Sequence, residues 1–126
     1  MSLQTPLAKA QGLGSAKQGS HHWWAQRVTA VALVPLTIWL AFSIALIPEA
    51  SYENVLAWFS STWNATLAIS FLIATFYHAA LGMQIVYEDY IHKECAKVTM
   101  VVGTQLAMAL LAIGSVVAVL KLAVGG

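Results

Sequence analysis

Three long stretches of the chain contain no Asp, Glu, Lys or Arg: Val28 to Ile47, Trp63 to Tyr87 and Val98 to Leu120. About 20 helical residues cross a hydrocarbon core of ~30 Å, and each stretch reaches that length. In lipid only a helix or a closed barrel satisfies its own backbone groups, so each run predicts a transmembrane helix. The runs are too long for strands and too free of charge for ordinary core helices. Pro35 and Gly82 fall inside them, and both residue types are common in membrane spans. The expected fold class is therefore an all-α membrane protein with three transmembrane helices. Residues 1–20 read as a flexible cytoplasmic tail, and residues 21–126 as a three-helix membrane domain with spans at about 28–47, 63–87 and 98–120.

The polar segments between the runs predict an orientation. Lys9, Lys17 and Arg27 precede the first span, and Lys93 and Lys97 lie between the second and third. The segment from Pro48 to Thr62 carries only Glu49 and Glu53, and Lys121 alone follows the third span. The positive-inside rule then places the N-terminus in the cytoplasm and the C-terminus in the periplasm. Tyr52 to Phe59 mixes aromatic and polar residues, as expected of either a short amphipathic turn in the outer interface or a simple aromatic loop. A cleaved signal peptide is the competing reading of the first span. Its apolar run is longer than the usual h-region and starts far from Met1.

Composition agrees and removes other classes. Of the 126 residues, 60% are hydrophobic and 9% charged, too few charges to solvate a globular surface. A net charge of +1 argues against a nucleic-acid partner, which would need a basic face. The single cysteine, Cys95, excludes an internal disulfide and a cysteine-ligated cluster held by this chain alone.

Within the spans His78 is the only residue of the Asp, Glu, His, Lys and Arg set. Such residues are costly in hydrocarbon and face a bundle interior, a cavity or a cofactor. An imidazole with a free ring nitrogen is a metal ligand, and haem is the metal cofactor that fits between transmembrane helices. The same residue also suits a hydrogen bond that rivets two helices together. Gly82 lies one turn further along that face, where a missing side chain lets a flat macrocycle or a second helix approach. One membrane histidine cannot supply both axial ligands, so a haem reading requires a partner subunit.

Two further groups lie at the predicted cytoplasmic end. Asp89 stands close to three helical turns beyond His78, and Tyr90 follows it. A tyrosine there serves either as an interfacial anchor or as a hydrogen-bond donor to a ligand carbonyl, with Asp89 beside it to orient it or relay protons. His21, His22, Trp23, Trp24 and Arg27 stand at the mouth of the first span. Arg27 suits carboxylates such as haem propionates, and equally suits snorkelling at the membrane entrance.

Gly14-Ser15-Ala16-Lys17, the run His22 to Ala30, and His78-Ala79-Ala80-Leu81-Gly82-Met83-Gln84 running into Glu88-Asp89-Tyr90 together resemble one family. It is the hydrophobic membrane anchor (D-type) subunit of succinate dehydrogenase, respiratory complex II, and the likeness covers essentially the whole chain. The resemblance implies a heterotetramer in which this chain pairs with a second, cytochrome b556-type, membrane anchor and docks a flavoprotein subunit and an iron–sulfur subunit. It implies that His78 is one axial ligand of haem b, and that Arg27 and one of His21 and His22 lie on the propionate side. Tyr90 would hydrogen-bond ubiquinone with Asp89 in the same pocket. Electrons from succinate would reach that quinone through the flavin and iron–sulfur subunits, in the tricarboxylic acid cycle and respiratory chain, with no bond chemistry on succinate in this chain. The lack of an Arg-rich presequence favours a bacterial inner membrane. The rival expectations are a cytochrome b-type anchor of another quinone-linked dehydrogenase and a cofactor-free structural membrane subunit.

Overall fold

The computed structural model describes residues 5–12 and 16–125, with side chains throughout except at 8, 9 and 16–18. Among the described residues all regular structure is helical: α1 (Pro6–Ala10), α2 (Ala16–Ala45), α3 (Tyr52–Ser60), α4 (Thr62–Tyr90) and α5 (Glu94–Ala123). Helices α2, α4 and α5 are each long and apolar enough to cross a membrane. At 29 or 30 residues and ~1.5 Å per residue each is about 45 Å long, well beyond a ~30 Å core. The surplus extends the helices past the charge-free runs. α2 begins well before Val28, inside the segment expected to be a tail. Gly14 and Ser15, and the side chain of Lys17, lie outside the described residues.

Local chemistry sets the helix ends. α2 closes with a tightened turn, Leu46 N–H to Phe42 O at 3.0 Å and Ile47 N–H to Ile44 O at 3.2 Å. Pro48 follows, and the residue before a proline is disfavoured in the helical region. Ser51 caps α3, its Oγ accepting from the Asn54 N–H at 3.2 Å. The segment expected as a turn or loop is therefore a capped helix of nine residues. At the α3–α4 junction Asn64 Nδ2 donates to Trp58 O at 3.0 Å, occupying a carbonyl that the end of α3 leaves free. On the far side, α5 opens with Glu94 in its first turn and a Lys97–Glu94 ion pair of 3.0 Å.

The three long helices form a row. α4 packs against both α2 and α5, whose backbones stay apart from each other, and α3 lies against α4 and α5. Packing is concentrated at the α3 end of the row. There Ala65, Ala68 and Val119 are buried, with Trp39, Trp58, Phe59, Ile69, Leu72 and Ala123 around them. Small residues on α4 let the α5 backbone approach, the usual basis of helix association in lipid. Trp58 of α3 stacks at 5.5 Å on Trp39 of α2 and meets Phe59 edge-on at 4.8 Å. Ala68→Leu would drive a larger side chain into this contact. An expected loss of ~1–3 kcal/mol, the usual cost of overpacking, should appear as a lower melting temperature of the detergent-solubilised protein. Elsewhere large apolar side chains face outward, among them Val31, Phe42 and Leu110. Surfaces of that kind need lipid or protein against them.

Candidate functional site

The end of the row away from α3 is held by polar contacts. His78, half-buried on α4, places Nδ1 2.9 Å from the Thr29 hydroxyl of α2. On another side of α4, the Tyr87 hydroxyl meets Thr104 Oγ1 of α5 at 3.0 Å. Gln84 Nε2 donates to Glu88 at 2.8 Å, and Gln84 accepts from Gln105 of α5 at 3.3 Å. Tyr87 follows His78 by half a turn more than two full turns, so the two ties lie on opposite sides of α4.

The Thr29 contact sets the depth of His78. Thr29 is two residues past Arg27, or about 3 Å along the axis. His78 is therefore level with Thr29 and close to Arg27 along the axis of α2. The ring is anchored through Nδ1. Nε2 makes no hydrogen bond among the described residues, and it is not one of the side-chain atoms that are both buried and unpaired. It is accessible, and its bonding capacity is unused.

Three described side-chain atoms are buried without a partner: His22 Nε2 and Gln26 Oε1 on α2, and Thr75 Oγ1 three residues before His78 on α4. His22, Gln26 and Thr29 recur at spacings of four and three, which places them on one face of α2. A Cβ built on Gly82 would meet only Gln26 Nε2, at 3.8 Å, an ordinary contact. Gly82 therefore lies against the Gln26 side chain of α2. Buried polar groups normally have partners, and these three atoms have none among the described residues.

The remaining expected site residues are displayed rather than assembled. Arg27 is exposed and lies on the far side of α2 from Thr29. Its guanidinium is 5.4 Å from the centre of the Trp23 ring. His21 is exposed, whereas His22 turns inward. Asp89 and Tyr90 close α4, both exposed, Tyr90 by 79%. Neither makes a side-chain hydrogen bond or ion pair among the described residues. No group of three or more potential metal ligands occurs among those residues. Thr29 and Gln26 were not singled out by sequence reasoning. Both lie inside the run from His22 to Ala30, and only the pairing of α2 with α4 shows what they touch. Cys95 is free and exposed.

Comparison with known proteins gives one answer. A family model described as succinate dehydrogenase/fumarate reductase transmembrane subunit matches residues 1–120. The chain is 38% identical over 118 residues to the succinate dehydrogenase hydrophobic membrane anchor subunit of Rickettsia bellii (strain RML369-C), covering 93% of this chain and 94% of that protein. It is 38% identical over 86 residues to the subunit of the same name from Paracoccus denitrificans, covering 68% and 67% of the two chains. The succinate dehydrogenase membrane anchor subunit of Reclinomonas americana is 32% identical over 85 residues, 65% of this chain and 71% of that one.

Proposed function

The chain belongs to the succinate dehydrogenase/fumarate reductase transmembrane subunit family, and from that premise we propose that it supplies half of a haem site and part of a quinone site to a succinate:ubiquinone oxidoreductase. The observation that carries this reading is the His78 ring, anchored through Nδ1 with Nε2 accessible and unpaired. One imidazole leaves the second axial position of haem b to a second membrane anchor subunit. Bound haem supplies one-electron redox chemistry, tuned by its axial ligands and surroundings.

The neighbouring residues fit the group. With Nδ1 engaged by Thr29 and Nε2 accessible, His78 can take a metal without breaking its tie to α2. Arg27, close to the His78 level along the axis but on the far side of α2 from Thr29, has a fork that suits a propionate, which its side chain would reach only by wrapping around α2. His22, with a buried unpaired nitrogen, is the better of the two adjacent histidines for the same side, and exposed His21 the poorer. At the end of α4, Tyr90 donates a hydrogen bond to a ubiquinone carbonyl, and Asp89 beside it orients or relays protons. Flavoprotein and iron–sulfur subunits dock at that face and deliver electrons from succinate. With five basic residues flanking the N-terminal and α4–α5 segments against one elsewhere, that face is cytoplasmic in a bacterial inner membrane.

Affinity purification through a tag on this chain tests the assembly. A flavoprotein, an iron–sulfur subunit and a second small membrane anchor are expected to co-purify, with a b-type signal in the reduced-minus-oxidised spectrum. A complex with those partners but no haem signal would leave an anchor without a haem site. Purification without any of them would overturn the functional reading as a whole.

A further inference from the structure

Thr29 has one hydroxyl proton and three possible acceptors: Ala25 O at 2.8 Å, Gln26 O at 3.1 Å and His78 Nδ1 at 2.9 Å. A helical threonine characteristically returns its proton to the carbonyl one turn back, and the Ala25 contact is the shortest of the three. With the proton committed there, Thr29 Oγ1 can only accept from His78. Nδ1 must then carry the ring hydrogen. A neutral imidazole has one N–H, so Nε2 presents a bare lone pair. In the reverse arrangement Thr29 donates to Nδ1 and the hydrogen sits on Nε2, where it blocks a metal. That arrangement also leaves an N–H in the membrane with no acceptor among the described residues.

We propose that Thr29 is the positioning residue for the haem ligand: it fixes His78 in the Nδ1–H tautomer and aims Nε2 at the iron. This rests on the haem reading above and adds to it the residue that makes the ligand competent. The contact spans two helices, so it also fixes the plane of the ring relative to α2, which α4 alone does not. A hydroxyl oxygen is a modest acceptor beside a carboxylate. It raises the basicity of the ring, and with it the electron density offered to iron, without driving the ring toward an anion.

Thr29→Val keeps the β-branched shape and removes the acceptor, while Thr29→Ser keeps the hydroxyl. In the intact purified complex, three quantities separate hydrogen bonding from packing: the rate of haem transfer to excess apomyoglobin, the reduction midpoint potential, and the electron paramagnetic resonance of the oxidised haem. The valine variant is expected to lose haem roughly 10–100-fold faster, the usual consequence of removing the partner that orients a ligating histidine. Its potential should move upward as the ring donates less, and its low-field resonance should broaden as the ring plane is released. Serine should restore all three. Wild-type values in the valine variant would overturn the proposal, and so would a serine variant as impaired as the valine one. Should the valine variant fail to assemble, Thr29→Cys offers a similar shape with a weaker acceptor and is read by the same three measurements. A wild-type complex without haem would instead refute the underlying haem reading.

Discussion

His78→Ala should abolish the b-type absorbance of the complex. The substitution removes the only imidazole placed within the α4 span together with its 2.9 Å tie to Thr29. Loss of a direct ligand is expected to exceed the ~10–100-fold loss of affinity that follows when only a ligand's orienting partner is removed. Because His78 also bridges helices, loss of the signal could reflect either ligation or structure, and His78→Gln separates the two. A glutamine amide can still reach Thr29 and keep α2 on α4, but it gives iron no imidazole nitrogen. Haem loss in both variants, with subunit content intact in the glutamine variant, identifies a ligand. A glutamine variant that keeps the wild-type spectrum would reduce His78 to a helix rivet and remove the haem assignment.

Tyr90→Phe should cut quinone reduction by about 10²-fold, near the lower end of the cost of removing one donor aimed at an oxygen that gains charge. Succinate oxidation coupled to an artificial dye should persist, because electrons then leave before the quinone pocket. Tyr90 suits the experiment structurally. It is 79% exposed at the last position of α4 and makes no side-chain hydrogen bond among the described residues, so removing its hydroxyl leaves the fold of this chain unstrained. Tyr87 provides the contrast, since its hydroxyl is already engaged with Thr104. Equal loss of dye and quinone activities in Tyr90→Phe would indicate failed assembly. Unchanged quinone activity would leave Tyr90 as an interfacial anchor.

The spans were legible because lipid imposes a requirement on length and charge that a single sequence displays directly. Their ends were less legible. A charge stops a residue from lying in hydrocarbon but does not stop a helix, so α2 runs back to Ala16 and α4 continues through Glu88 and Asp89. The amphipathic stretch after Pro48 was visible, but its helical state depends on the Ser51 cap and on packing against α4 and α5. His78 stood out by its chemistry. Its partner did not, because the register between α2 and α4 decides which of several hydroxyls it meets, and Thr29 resembles any other threonine in a span. The same register separates His22 from His21: the helix turns by about 100° between neighbours, which takes one inward and leaves the other exposed.

The tie between α2 and α4 also bears on how the polypeptide enters the bilayer. α4 is the least apolar of the three spans and carries the histidine that lipid penalises. It emerges from the ribosome after α2, so Thr29 is already in the membrane when His78 arrives. A hydrogen bond worth ~0.6 kcal/mol on average between membrane helices then offsets part of the insertion penalty before any partner subunit is present. Thr29 in this sense serves as a placeholder during biogenesis, giving the imidazole a partner within the chain and fixing it against α2 from the start.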